Sequence, residues 1–381
     1  MMVDTPPPAG PIPPSSPRYQ PKRHRSWKRV ALIVVVTLGV VLVASVIVIA
    51  IVVHRLNTPA AVPPSWRPPA VLPRAVTPTI PPGNLVFDSN RTGNYEIWTM
   101  NAEGGDPQRL TNDPAYDSWW ARISPDRRTI LFYRTPAGTH DRDYSKTSLW
   151  AMAADGTNLV ELRPAGLDGW VFQGHAEWSP DGSQLVMFGG SRFSPQIWIT
   201  NNLGGDPRAV TQRGGSNVDP SWSPDGRTIV FVGCPGSLCL PNDHEIYTIP
   251  AAGRVPTRIT YDNLPDNDPY FSHNGRELAW LTKLSGGLLS VGTWDIRLLP
   301  VTQTGSQVTA ATGAQPKLLL PDKDNAINSK PSWSLDDQTI YFHRAIGSLK
   351  GGFQIWAINV DGSNLRELTA GQGGSNEYPG T

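Results

Sequence analysis

Six positions along this chain carry side chains that could do chemistry together: Trp120, His175, Asp219, Asp268, Lys330 and Tyr378. Each stands at the same place relative to a recurring segment, so a fold that repeats the segment gathers them. His175 with Asp219 and Asp268 offers one nitrogen and two carboxylates, a donor set suited to a divalent cation. Lys330 in the same ring would neutralise a carboxylate without any metal. Trp120 and Tyr378 present flat apolar surfaces for a sugar ring or an aromatic side chain, with the carboxylates fixing orientation. A shared structural role would favour repetition of one residue type, whereas these six are chemically unlike and read as a ligand site. Two residues earlier stand Ser118, Gln173, Asn217, Asp266, Asn328 and Asn376. Residues two apart on a strand point to the same side, so both sets are expected at one channel mouth. The Asn and Asp members of the earlier set are also suited to capping a turn.

The elements that must position these residues are short strands. Pro220-Ser221-Trp222-Ser223-Pro224-Asp225-Gly226 recurs around Trp178 as Trp178-Ser179-Pro180-Asp181-Gly182, with weaker copies at Phe271–Gly275, Trp333–Asp337 and Ile123–Asp126. Ser-Pro-Asp-Gly is turn chemistry: proline presets φ, Asp bonds its own backbone, and glycine accepts positive φ. An apolar, β-branched run follows each copy, and then a second signature: Ile97-Trp98, Leu149-Trp150, Ile197-Trp198, Ile246-Tyr247, Ile296-Arg297 and Ile355-Trp356. Four short strands per period of roughly 45 residues mark a β-propeller blade. The Ile-Trp signature occurs six times and the turn signature five. The missing inner strand of the first blade is expected from the C-terminus, where Ser375-Asn376-Glu377-Tyr378-Pro379-Gly380 resembles Ser216-Asn217-Val218-Asp219-Pro220-Ser221. The expected fold is therefore all-β: a six-bladed β-propeller over residues 84–381, closed by its C-terminal strand, which removes exposed sheet edges.

These repeats resemble the TolB-like family of propellers, whose WD-like repeats carry the same Ser-Pro-Asp-Gly turn. The resemblance covers residues 84–381 and implies the fold; the wider group includes scaffold proteins, peptidase propeller domains and polysaccharide lyases. TolB itself carries a small α/β domain before its propeller, where this chain has an apolar segment and a linker, so the resemblance does not carry a Tol–Pal role with it.

Residues 31–53 hold no charge and are long enough to cross a bilayer, which needs about 20 helical residues. A single transmembrane helix is expected at 30–54, uncleaved because the run exceeds a signal-peptide core of about 7–15 residues. Arg18, Lys22, Arg23, Arg25, Lys28 and Arg29 precede it against Asp4 alone, and only His54 and Arg55 follow directly. The positive-inside rule then places a proline-rich basic tail (1–29) in the cytoplasm and the propeller outside the membrane. Residues 55–83, with Pro63-Pro64, Pro68-Pro69 and Pro81-Pro82, read as a semi-rigid stalk that could reach about 80 Å in polyproline form. Without the tail's six bases and one acid the remainder has 27 Lys and Arg against 31 Asp and Glu. That mildly acidic balance argues against nucleic acid as a partner.

Cys234 and Cys239 are the only cysteines, and in an oxidising compartment a disulfide closing their loop is the simplest reading. The sequence has no Gly-x-Ser-x-Gly elbow, His-Glu-x-x-His pair or Gly-rich phosphate loop. The expected function is a membrane-anchored, extracytoplasmic module that binds an envelope protein or glycan at the channel mouth. The alternative is a metal-dependent glycan-active enzyme, a lyase or hydrolase, holding a divalent cation at the same mouth.

Overall fold

The computed structural model describes residues 10, 25–77, 80–212, 215–234, 239, 243–262, 264–286, 292–320, 325–347 and 349–381. Apart from Gly10 and residues 25–29, the basic tail lies outside them. The chain divides into two compact units, Met1–Leu56 and Asn57–Thr381. Among its described residues the first holds one helix, Arg25–Leu56. Its Val34–Leu56 portion, 23 residues with mean hydropathy 3.1, is long and apolar enough to cross a membrane.

Residues 57–83 are not the free stalk their prolines suggested. They belong to the second unit and are tied along the side of its sheets. Ala75 N–H donates to the Arg128 carbonyl at 2.9 Å, Arg128 Nε returns a bond to the Ala75 carbonyl at 2.7 Å, and Thr129 Oγ1 reaches the Pro73 carbonyl at 2.7 Å. Ala75 and Ile80 are buried in the hydrophobic core. Proline leaves backbone carbonyls unspent within its own segment, and here arginines and a threonine of the neighbouring sheet take them. The reach of about 80 Å expected of an extended stalk is therefore not available from this segment.

The second unit is an all-β propeller. Four sheets of four strands stand separately, and the remaining strands form one sheet of nine. Within the nine-stranded sheet, Trp294–Thr304 meets Ala326–Trp333 at a single parallel pair, Trp294 with Ile327. The C-terminal strand Asn376–Gly380 pairs antiparallel with Leu85–Ser89, the first strand of the unit. Chain end and propeller start thus share one sheet, and the inner strand missing from the first repeat comes from the last residues.

The repeat signatures do their expected local work. Ser179 Oγ donates to Asp181 at 2.6 Å and accepts the Gln184 N–H at 2.9 Å; Ser223, Asp225 and Thr228 repeat the pattern. The closing glycines Gly182, Gly226 and Gly275 have φ near 70°, where a Cβ costs energy. Arg127 and Asp337 occupy that left-handed position in the degenerate copies. The isoleucines of the second signature, Ile97, Ile197, Ile246, Ile296 and Ile355, are fully buried. In four repeats the N–H of that residue is held by a threonine hydroxyl, from Thr111, Thr211, Thr260 or Thr369, at 2.8–3.0 Å. The cores lie between neighbouring sheets, as where Trp119, Tyr133 and Leu149 meet Trp178, Leu185 and Met187.

Candidate functional site

The six equivalent residues share a backbone device that the sequence does not announce. Each inner strand is bulged at the same point: Tyr116–Ile123, Phe172–Trp178, Asn217–Trp222, Asp266–Phe271, Ala326–Trp333 and Asn376–Gly380 all shift register there. Trp120, His175, Asp219, Asp268, Lys330 and Tyr378 sit in those bulges with φ between 49° and 56°. None is glycine, so each position carries backbone strain that re-aims its side chain, as bulges do.

The structure brings the six together and closes five of them on one another or on the neighbouring loop, while Asp268, buried beside Asp219, takes no hydrogen bond among the described residues. Trp120 stacks on His175 with centroids 3.6 Å apart and planes 6° from parallel. His175 Nδ1 lies 2.5 Å from Asp219 Oδ1, and its Nε2 lies 3.0 Å from the Tyr144 hydroxyl. The Lys330 ammonium is held between the faces of Trp120 and Tyr270, at 3.6 and 3.8 Å. The Tyr378 hydroxyl donates to Asp141. Asp141 and Tyr144 belong to the loop 136–146, whose 3-10 turns His140–Arg142 and Tyr144–Lys146 reach inward to these residues. The channel mouth is thus plugged by a loop of the second repeat.

The earlier set, two residues back, is largely structural, although the buried Ser118 hydroxyl has no hydrogen-bond partner among the described residues. Asp266 accepts from the Trp280 indole and the Thr282 hydroxyl at 3.0 and 2.6 Å, and Gln173 donates to the Thr147 carbonyl at 2.7 Å. Asn328 donates to the Trp294 carbonyl at 2.7 Å, and Asn376 to Gln354 at 2.8 Å. These bonds tie inner strands to adjacent segments rather than line a binding surface.

Burial sets the electrostatics. Desolvation pushes the Lys330 ammonium down to about 7, with Arg122 adding repulsion against the pull of Glu177, Asp268 and Asp219. Desolvation, joined by the charge of Asp219, pushes the Asp268 carboxyl up to about 6. Burial alone would raise Asp219 as well, but the charge and hydrogen bond of His175, with Lys330 and His244, hold it below the usual range. Beside this group lies a second network: His140 Nε2 is 3.0 Å from Asp88 and its Nδ1 is 3.3 Å from Asp141. Burial opposes charge on His140, yet its bonds to Asp141 and Asp88 and their charges raise it to about 10. Both of its ring nitrogens are committed, which makes it a fixed imidazolium in the plug.

Sequence reasoning missed the residues two positions further on. Arg122, Glu177, Ser221, Tyr270, Ser332 and Gly380, together with Lys330, line a cavity of about 570 Å³. It is bordered by Ser124, Pro125, Ser179, Pro180, Pro224 and Ser272, so it belongs to the face of the Ser-Pro turns, opposite the plug loop. Of the six expected site residues only Lys330 lines it. The repeat aligns Arg122, Glu177, Ser221, Tyr270 and Ser332 as it aligns the ring residues, but the bulge between the two sets hides their orientation from the strand period.

No family model matches the chain. A stretch of 152 residues is 28% identical to a TolB homologue of Chlorobium luteolum, covering 39% of this chain and 31% of that one. The solved TolB structure of Acinetobacter baumannii superposes with a TM-score of 0.59 at 16% identity, over 78% of this chain and 66% of that one. The fold is a TolB-like β-propeller. The putative TolB of Agrobacterium tumefaciens gives a TM-score of 0.54 at 16% identity, over 75% of this chain and 87% of its own. The chain spans about a third or less of the length of the curated relatives it matches. The TolB-like likeness therefore covers the propeller and says nothing of which residues bind. Cys234 and Cys239, with Cα atoms 5.9 Å apart, are disulfide-bonded; the residues between them lie outside the described ones.

Proposed function

We propose that this TolB-like propeller is a membrane-anchored binding module of the cell envelope that captures an envelope protein, or a glycan, on its plugged loop face. The observation that carries this reading is the set of apolar side chains left exposed there: Phe193, Ile346 and Leu349 stand on strand-connecting loops around the plug. Arg142, Lys146, Arg192 and Lys350 supply charge on the same loops. Apolar anchors with a charged rim are how protein surfaces bind partners. Trp120, His175, Asp219, Asp268, Lys330 and Tyr378 then support the plug from beneath. Phe193→Ser with Leu349→Ser should reduce capture of envelope material by the full-length chain without lowering its melting temperature. Undiminished capture would remove the loop face from consideration.

Six blades is the count we propose, with the nine-stranded sheet read as two blades touching at Trp294 and Ile327. The apolar helix is read as an uncleaved anchor with the propeller outside. Protease added to spheroplasts should then release the propeller and leave a short membrane stub, and a protected propeller would reverse the orientation.

One observation favours the second reading, a metal-dependent glycan-active enzyme. Ligand atoms of His175, Asp219 and Asp268 lie within 4.8 Å of one another, and such oxygens and nitrogen suit a divalent cation. His175 would have to release Asp219 or Tyr144 to bind it, and Lys330 opposes a second cation. Metal analysis of the purified chain decides between the readings: a stoichiometric cation lost in Asp219→Ala with Asp268→Ala supports the enzyme.

A further inference from the structure

The cavity on the Ser-Pro turn face has a floor that packing alone does not require. Three donors converge on one oxygen of Glu177: Arg122 Nε at 2.6 Å, the Tyr270 hydroxyl at 2.8 Å and Lys330 Nζ at 3.5 Å. Its other oxygen receives no hydrogen bond among the described residues, and the Glu177 side chain is 12% exposed, the largest exposure on this floor beside Arg122 and Lys330. Ser332, half-buried, also lines the cavity and has no side-chain bond among the described residues. Trp178, Trp222, Phe271 and Trp333, each nearly buried, also line the cavity.

A carboxylate with one oxygen committed and the other open is pre-set to accept from vicinal hydroxyls. The committed oxygen fixes its orientation, and charged acceptors form the stronger hydrogen bonds. The Ser332 hydroxyl alongside it can bond a hydroxyl or carboxylate oxygen, the nearly buried Arg122 and Lys330 leave positive charge beneath the floor, and aromatic rings suit the C–H face of a saturated ring. A volume of about 570 Å³ falls within the range of small-molecule sites. We infer that the turn-face cavity is a sugar-binding site that takes one terminal ring of a glycan, with Glu177 accepting from its hydroxyls and the tryptophans framing it. This site is separate from the loop face and goes beyond the binding role proposed for that face. The ring is neutral or carries a carboxylate; the hydroxyl chemistry is common to both.

The test uses the full-length chain in a zwitterionic detergent, since maltoside detergents are themselves sugars. Methyl glucoside and glucuronate are titrated separately while tryptophan fluorescence is followed, because three tryptophans, Trp178, Trp222 and Trp333, line the site. Saturable binding of either sugar, with a Kd of about 1–10 mM as expected for a single ring, supports the inference. Stronger binding of glucuronate would show that the positive charge beneath the floor, chiefly that of Arg122, acts on a ligand carboxylate. Glu177→Gln should weaken binding at least about tenfold. Because that variant also breaks a buried ion pair, Ser332→Trp serves as a second arm: it fills the cavity and leaves Glu177, Arg122 and Lys330 in place. Ser332→Trp should abolish sugar binding while keeping the melting temperature and leaving loop-face capture unchanged. The inference is overturned if neither sugar binds, if acetate binds as well as glucuronate while methyl glucoside does not bind, or if Ser332→Trp binds like the parent.

Discussion

Replacing Lys330 by methionine should change how stability depends on pH more than it changes stability itself. Lys330 is 1% exposed, and its ammonium lies against two aromatic faces with Glu177 at 3.5 Å. Burial first, then Arg122, brings it down to about 7, while Glu177, Asp268 and Asp219 pull the other way without compensating. In the unfolded chain a lysine titrates near 10.4. Between those values the unfolded state binds the proton and the folded state does not, so this group makes the fold more stable as pH rises from about 7 to 10. Each unit of difference is worth about 1.4 kcal/mol, so the contribution is on the order of a few kcal/mol across that window. His140, raised to about 10, acts in the opposite sense: its stabilising proton is fully present below about 6.5 and is lost as pH climbs towards 10. The two slopes offset each other in the parent protein, and only a difference measurement isolates Lys330. Chemical denaturation of parent and Lys330→Met at pH 6.5 and 9.5 supplies it. Methionine keeps the apolar stem between Trp120 and Tyr270, and Glu177 keeps Arg122 and Tyr270 as donors, so the variant should fold. The parent should gain on the variant by at least about 1 kcal/mol between the two pH values. A stability difference that does not move with pH would refute the buried, partly neutral lysine.

The C-terminal strand offers a second measurement. Tyr378→Ala removes a ring packed on Trp120 and His343 at 5.1 and 5.0 Å and should cost about 3–5 kcal/mol. Tyr378→Phe, which deletes only the bond to Asp141, should cost about 1 kcal/mol; equal losses would mean that packing is not what closes the ring. Reducing the Cys234–Cys239 disulfide opens a short loop and should lower stability by about 2 kcal/mol on a chain-entropy basis, read as a shift in melting temperature with and without reductant. An unchanged melting temperature would make the bond irrelevant to the fold. Asp219→Gly should be less destabilising than Asp219→Ala by up to about 1 kcal/mol, because glycine relieves the left-handed backbone at φ 51° that alanine retains.

The propeller was legible because its signals are local and repeated. A Ser-Pro-Asp-Gly turn specifies its own hydrogen bonds within five residues, as Ser179, Asp181 and Gln184 show, and a buried isoleucine needs only its place in a strand. Even the C-terminal strand was readable, since Asn376 and Tyr378 repeat a pattern seen elsewhere in the chain. Side-chain orientation was not legible, for two physical reasons. First, the ring residues stand in bulges at positive φ, and although Asp and His visit that region more readily than most, nothing about Trp, Lys or Tyr as residue types favours it. The fold imposes it, and a bulge alters which way successive side chains point. Second, the plug comes from an irregular loop. Asp141 and Tyr144 cap the ring residues across a separation that no periodicity encodes, and the prolines of residues 57–83 bind a neighbouring sheet for the same kind of non-local reason. The consequence bears on function. Unlike side chains at equivalent positions suggest a ligand site, yet in this molecule Trp120, His175, Asp219 and Lys330 also pack on and pair with one another. Chemical diversity around a propeller axis is also what a closed channel needs, because identical charges there would repel and could not pair. Open chemistry lies further along the same strands, where Glu177 keeps an oxygen that no described residue uses.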